Sequence, residues 1–332
     1  MIITTLKAAP HLLKATIELI EKSFHYEKPN RFAVDFAPLM NERNFHNCFI
    51  IIDEKENVIA HIGVCERKIL GIPVAMLGGI AVDESHRGEG HFQELFQDVI
   101  AEKRNDVALF MLWSDQEKLY KKHGFYLCGT QIEIAKNGSN KEFIKSKLSL
   151  LNPSQFKQIQ NLYEKSFGNL YTTIERSLND WQEIMAIHST DLYLKENSGI
   201  ITDYFFTNKG QDLTDIIFEY GTSGEMKDLV KKIASYGNVW LGANLLNDGE
   251  AQLQFFMAPG DTKLFALFIG LYTDEKILIR EMNSMKQEVY FYFNDELLSL
   301  DTEEFLRGVI GPEVFEELGE LKPIFVSGLD SI

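Results

Sequence analysis

The apolar runs of this 332-residue chain follow the order of an α/β protein, and one unit of that order occurs twice. An apolar run ending at Val82 passes through Arg87-Gly88-Glu89-Gly90 directly into a segment with Phe92, Leu95, Phe96, Val99 and Ile100 on one helical stripe. Such a helix must lie on a sheet. In addition, Pro10 to Phe24 align without gaps on Pro153 to Phe167, sharing the proline, Lys14 with Lys157, and the whole run Glu21-Lys22-Ser23-Phe24 with Glu164-Lys165-Ser166-Phe167. The elements that follow recur in the same sequence.

Each copy opens on a strand followed by a helix begun by proline, whose missing N–H is harmless in a first turn. In the first copy, strand Cys48–Ile52, turn Asp53–Asn57 and strand Val58–Cys65 read as a hairpin. A strand over Met76–Val82, a helix over His91–Arg104 and a strand over Val107–Trp113 come next. In the second copy, Asp191–Leu194 and Gly199–Phe206 flank the turn Lys195–Ser198. Gln211–Tyr220, Gly224–Ser235 and Asn238–Gly242 then repeat the strand, helix and strand. The polar stretch Lys136-Asn137-Gly138-Ser139-Asn140-Lys141 marks a linker, giving domains over 1–138 and 146–332. Beyond Tyr272 the expected elements are a strand over Glu288–Phe293, short helices around Thr302–Val309 and Pro312–Leu318, and an apolar end from Pro323 to Ile332.

The composition, 45% hydrophobic and 25% charged, is that of a globular protein, and the formal net charge is −16. An acidic chain lacks the basic face that nucleic-acid binding requires, and its field attracts amines. Cys48, Cys65 and Cys128 are too few and too scattered for a disulfide framework, and no histidine or cysteine spacing suggests a metal site. No apolar run reaches the ~18 residues of a membrane helix, and the first residues do not read as a secretion signal. The expectation is a soluble cytoplasmic protein without metal, nucleic-acid or membrane partner, its oligomeric state left open.

The turn at 87–90 is suited to phosphate. A helix N-terminus offers free N–H groups and the positive end of the helix dipole. Gly88 and Gly90 remove side chains that would hold an anion away, and Arg87 adds charge at the rim. Downstream, the strand ending at Ser114-Asp115-Gln116 leads to Leu119-Tyr120-Lys121-Lys122-His123-Gly124-Phe125.

With both segments in view, residues 48–134 resemble the GNAT superfamily of acyl-CoA-dependent N-acyltransferases. Its pyrophosphate signature, R-x-x-G-x-[G/A], fits at Arg87 and Gly90 and departs at Phe92, where a small residue is usual. Its later signature, Leu-Tyr-x-x-x-Gly-Phe, fits at every fixed position from Leu119 to Phe125.

The resemblance implies a mixed central sheet and acetyl-CoA as co-substrate. The pantetheine arm would pair with Ile80, Ala81 and Val82. The pyrophosphate would sit on Gly88, Glu89, Gly90, His91 and Phe92, with Arg87 and Ser114 completing the coenzyme site. An N–H on the Gly79–Ala81 strand would polarise the thioester carbonyl. Tyr120 would be the general acid, since the pKa of a phenol lies near that of a thiol. The base is not visible: Glu66, Asp115, His25 and His46 are candidates, with Glu66 set first. Lys121 and Lys122 are placed near the adenosine phosphate.

The second copy has Gly221-Thr222-Ser223-Gly224-Glu225 where the arginine motif should lie, and resembles a degenerate GNAT copy that walls the cleft. In some tandem or tailed relatives the far C-terminus closes the active site. Here Ile324-Phe325-Val326 and Leu329–Ile332 are the corresponding segments. The expected function is acetyl transfer to a primary amine, on a small molecule or peptide, by direct attack in a ternary complex. The alternative is a non-catalytic acyl-CoA-binding or regulatory module.

Overall fold

A computed structural model describes residues 1–139, 142–242, 245–246, 250–283 and 285–332. Asn140 and Lys141 of the expected linker lie outside the described residues.

The first half runs β1 (Ile2–Thr5), α1 (Leu13–Ser23), α2 (Phe32–Asp35), β2 (Cys48–Ile52), β3 (Val58–Ile69), β4 (Ile72–Val82), α3 (His91–Lys103), β5 (Leu109–Leu112), α4 (Glu117–Lys121) and β6 (Tyr126–Ile134). The second runs β7 (Ile144–Ser146), α5 (Pro153–Leu162), α6 (Gly168–Leu170), α7 (Leu178–Met185), β8 (Asp191–Asn197), β9 (Ile200–Lys209), β10 (Leu213–Thr222), α8 (Met226–Ile233), β11 (Asn238–Leu241) and β12 (Glu250–Pro259). The chain continues through α9 (Thr262–Tyr272), β13 (Ile277–Asn283), β14 (Glu288–Phe293), β15 (Glu296–Asp301) and α10 (Thr302–Ile310).

Among the described residues the strands form a 12-stranded sheet in the order β1-β2-β3-β4-β5-β12-β6-β11-β10-β9-β8-β7, and a three-stranded sheet β13-β14-β15. The large sheet reads alike from both ends, with five strands of one half followed by one strand of the other. β12 pairs antiparallel with β5, from Phe256 against Leu112 to Pro259 against Leu109. β6 pairs antiparallel with β11, from Val239 against Ile134 to Leu241 against Ile132. β6 and β12 pair with each other in the middle. The two halves therefore complete each other's sheet.

The expected helix starts are present. Pro153 is the first residue of α5, and Asn152 and Gln155 form a reciprocal capping box in front of it. Pro10 opens one 3-10 turn, Pro10–Leu12, that leads into α1. α3 buries Leu95, Phe96 and Val99 completely, while Phe92 and Ile100 pack at the edge of the same cluster. Each of the three fully buried side chains is worth about 1.5–3 kcal/mol. α1 packs against β3 and β4 over a separate cluster that continues beneath α9 and β14.

The tail departs from expectation in two places. α9 and its neighbours β13 and β15 were not expected, because the run Leu264–Leu271 is apolar on all sides and gives no clear helical stripe. The helix expected at Pro312–Leu318 is only a 3-10 turn, Glu316–Leu318. The Phe315 N–H donates to the Gly308 carbonyl and its ring fills the space above Gly308, so the chain folds back on α10.

Candidate active site

β4 is eleven residues long and β5 four, and the two run parallel in register only from Val74–Leu109 to Met76–Met111. Past Met76 the strands part. Between β3 and β4, Gly63 faces Gly78 whereas His61 faces Ala81, so β4 carries an extra residue at Gly79-Ile80. A bulge of this kind re-aims backbone groups. Gly79 takes φ +58°, a left-handed conformation that favours glycine.

A cavity of about 810 Å³ occupies the split. Gly78 to Val82 form one wall, and Arg87 and Phe92 stand at one end. Trp113, Ser114, Asp115 and Tyr120 form the opposite wall. Val326, Gly328, Ser331 and Ile332 of the C-terminal segment also line it, and the Ile332 backbone packs on Gly78 so closely that a Cβ there would lie 2.5 Å away. The Arg176 guanidinium holds this segment, donating to both oxygens of Asp330 and of Glu219 in a fully buried cluster.

At the Arg87 end the chain is shaped to receive an anion. Gly88 and Gly90 have φ of +85° and +90°, and a Cβ on either would meet nothing within 4 Å. Gly90 caps α3, a helix of 13 residues. None of the N–H groups from Gly88 to Gln93 donates to another group among the described residues; the first satisfied donor is Glu94, to the Gly90 carbonyl. The residues present thus fit a phosphate group. The His91 ring is buried and contacts Glu89 at 3.2 Å.

The matching place in the second half differs chemically. A groove of about 830 Å³ lies there, lined in part by Ser166, Thr222, Ser223 and Gly224. Three successive backbone donors there are already used: Thr222 N–H by Ser166 Oγ, Ser223 N–H by the Thr202 carbonyl, and Gly224 N–H by Thr222 Oγ1.

Tyr120 is buried, 5% exposed, on the short helix α4. Burial pushes its phenol up to about 12, partly offset by the Ser114 hydroxyl facing it. It is therefore a protonated phenol at neutral pH, as an acid must be. Phe92 packs edge-on against the Tyr120 ring at 6.0 Å, and Phe256 of the exchanged strand β12 lies at 5.6 Å. The departure from the signature at residue 92 is thus a packing contact with Tyr120, and the N–H row beside it stays open.

The remaining candidates separate clearly. Glu66 sits on β3 opposite Ala75, away from the cavity, and its carboxylate binds Lys103 Nζ of α3 at 2.9 Å. That corrects its placement as leading base candidate: it serves as an ion-pair partner, 45% exposed. His25 and His46 are exposed and do not line the cavity. Asp115 does line it, with Oδ1 accepting from Gln116. Lys121 is drawn to Glu303 of α10 at 2.6 Å, and Lys122 faces a separate cavity behind α3. Neither lines the cavity that Arg87 lines.

His61 was not expected. It is fully buried on β3, and its Nδ1 lies 2.7 Å from the Gly79 carbonyl oxygen. Burial lowers its pKa to about 4, so the ring is neutral and Nδ1–H donates. A histidine inside the apolar run Val58–Cys65 was the available signal.

The family model of the acetyltransferase (GNAT) domain matches residues 7–128, which span the parted strands, the N–H row and Tyr120. Residues 7–128 are a GNAT domain. Solved structures share the architecture well beyond it. A GCN5-related N-acetyltransferase from Anabaena variabilis superimposes with TM-score 0.58 at 13% identity, covering 90% of this chain and 85% of that one. Eis1 from Mycobacterium abscessus gives 0.59 at 12%, covering 93% and 89%. An N-myristoyltransferase from Saccharomyces cerevisiae, solved with bound myristoyl-CoA, gives 0.51 at 11%, covering 77% and 80%. At these identities the likeness is one of fold. A search of curated proteins finds no match. Among the described residues no helix is long and apolar enough to cross a membrane.

Proposed function

We propose that the GNAT domain transfers an acetyl group from acetyl-CoA to a primary amine within one ternary complex. The observation that carries this reading is the row of unpaired N–H groups from Gly88 to Gln93, which opens on the split between β4 and β5 and so on the buried phenol of Tyr120. In the proposed reaction the amine nitrogen forms a C–N bond to the thioester carbonyl carbon, the C–S bond breaks, and Tyr120 gives its proton to the departing thiolate. The nitrogen's surplus proton leaves to solvent or to a cavity group such as Asp115.

The bulge supplies the polarising donor in this reading. In a trans peptide the C=O and N–H point in opposite directions. With the Gly79 carbonyl turned to His61, the Ile80 N–H points away from it, and Ile80 lines the cavity.

The second half, residues 146–332, is read as a degenerate copy of the domain over 1–138. Support comes from the mirrored strand order and the shared Glu-Lys-Ser-Phe run, against the consumed donors at Thr222–Gly224. The free, buried thiols of Cys48, Cys65 and Cys128 suit a cytoplasmic protein.

Calorimetry with acetyl-CoA tests the reading directly. Binding at micromolar to low-millimolar concentration is expected; its absence over that range overturns the proposal.

A further inference from the structure

The cavity draws its walls from both faces of the large sheet. Tyr120 and Phe92 belong to the cluster beneath α3, on the side of the N–H row. Phe32, Val326 and Ile332 belong to the cluster beneath α1, on the other side. A donor seated on the N–H row enters from the α3 face, so the α1 face is left for the amine.

On that second face the wall beside the bulge is the C-terminal segment. A Cβ on Gly78 would lie 2.5 Å from the Ile332 carbonyl carbon and 3.0 Å from its Cγ1, so Ile332 rests directly on the strand one residue before Gly79. A shift of Ile332 therefore alters the space at the bulge itself.

Lys209 holds this segment. It is the last residue of β9, is 2% exposed, and lines the same cavity. Its Nζ donates to the Gly328 carbonyl at 2.6 Å and to the Ser331 carbonyl at 2.5 Å, and lies 4.5 Å over the ring of Phe36, the residue after α2. The N–H groups of Asp330 and Ser331 both donate to the Ser327 carbonyl, so the segment makes one turn and brings the carbonyls of 328 and 331 to the same point. The Gly328 carbonyl also accepts from Ser331 Oγ, whereas Lys209 is the one donor to the Ser331 carbonyl among the described residues. Arg176 anchors the segment by the Asp330 side chain; Lys209 sets the backbone on either side of it. Burial lowers the Lys209 pKa to about 7, against Asp330, Asp35, Asp212 and Cys65, which raise it. Whether Nζ carries three hydrogens or two, each carbonyl keeps a donor, so the hold persists on both sides of neutrality.

Resting on the transferase reading above, we propose that Lys209 is a positioning residue for the acceptor: by holding the carbonyls of Gly328 and Ser331 it sets Ile332 against Gly78, and so fixes the wall along which the amine reaches the bulge.

The test uses the full chain with acetyl-CoA and primary amines from n-butylamine and benzylamine to Nα-acetyl-lysine. Lys209→Met keeps a long unbranched side chain and removes the donors. Acceptor kcat/KM is expected to fall about tenfold or more, the scale of one charged hydrogen bond, while acetyl-CoA affinity by calorimetry stays within about twofold. Ile332→Ala, which removes no hydrogen bond, should lower acceptor kcat/KM in the same way and serves if Lys209→Met does not fold. Because Lys209 acts through Ile332, the double variant should lose little beyond the larger single loss. Acceptor kcat/KM equal to wild type in either single variant overturns the proposal, as does full additivity of the two losses. An equal fall in acetyl-CoA affinity also overturns it, since that marks a general structural role. Amide hydrogen exchange without substrates reads the hold alone: residues 327–332 should exchange at least about tenfold faster in Lys209→Met, and unchanged exchange overturns the proposal. Wild type that binds acetyl-CoA but acetylates none of these amines overturns the positioning role. Wild type that fails to bind acetyl-CoA removes the transferase reading beneath it, and the exchange result still measures the hold by itself.

Discussion

Nδ1 of His61 donates to the carbonyl oxygen of Gly79 at 2.7 Å, joining the middle of β3 to the extra residue of β4. The ring has no exposure to solvent, and Gly79 sits at φ +58°. This hydrogen bond fixes the orientation of the peptide between Gly79 and Ile80 at the edge of the cavity. His61→Leu removes the donor and leaves a buried carbonyl unpaired. A loss of about 1–3 kcal/mol in urea unfolding is expected, together with a lower kcat. Unchanged stability would show that the bulge holds without the histidine.

His61 also sets an acid limit on stability. Its pKa is about 4 in the folded chain against 6.5 for the free side chain. Between these values the unfolded chain binds more protons than the folded one, so stability is whole above pH 6.5 and falls as pH drops toward 4. The loss from this one group amounts to roughly 3 kcal/mol. Urea unfolding across this range checks it: His61→Leu, already less stable at neutral pH, should show a shallower fall than wild type.

Tyr120→Phe removes a proton donor and keeps the ring that packs against Phe92 and Phe256. A drop in kcat of about 10²-fold or more is expected, with acetyl-CoA affinity nearly unchanged. The phenol is pushed up to about 12, so no decline in rate from its ionisation should appear between pH 7 and 9. An unchanged kcat in the variant would take Tyr120 out of the acid role.

Gly90→Ala isolates backbone conformation from crowding, because a Cβ there meets nothing within 4 Å while φ is +90°. The left-handed cost of about 1–2 kcal/mol should shift the cap of α3 and weaken acetyl-CoA binding about tenfold in calorimetry. Equal affinity would mean that the N–H row is not what holds the coenzyme.

Arg176 is fully buried between Glu219 and Asp330, and its guanidinium lies 3.9 Å over the Tyr163 ring and 4.5 Å from that of Trp181. Arg176→Met strands two buried carboxylates. Destabilisation of about 3–5 kcal/mol is expected, read as a fall in Tm, with the C-terminal segment from Ser327 to Asp330 loosened toward proteolysis. A Tm equal to wild type would show that the cluster does not hold this segment.

The parts legible in the sequence are those set by neighbours along the chain. The stripe of Leu95, Phe96 and Val99, the proline start of α5 and the glycines at 88 and 90 each depend on residues within a turn or two. Periodicity and allowed φ therefore revealed them. Tyr120 was singled out instead by the resemblance of Leu119–Phe125 to the GNAT signature, and the repeat of Pro10–Phe24 at Pro153–Phe167 pointed to two halves of like order.

Tertiary structure alone decided what those halves do to each other. The exchange of β6 and β12 joins strands more than a hundred residues apart, as at Val239 and Ile134, and no local pattern encodes a partner at that distance. Glu66 shows the same limit: strand alternation placed it at a hairpin, but Lys103 of α3 took its carboxylate away from the cavity. Asp35 of the first half faces Lys209 of the second only once the chain has closed. By itself the sequence determined a glycine turn leading into a helix and a phenol, because each is a local arrangement of a few residues. Their place at two sides of one cavity was decided by the parting of β4 from β5, since strand pairing is a long-range balance of hydrogen bonds and packing.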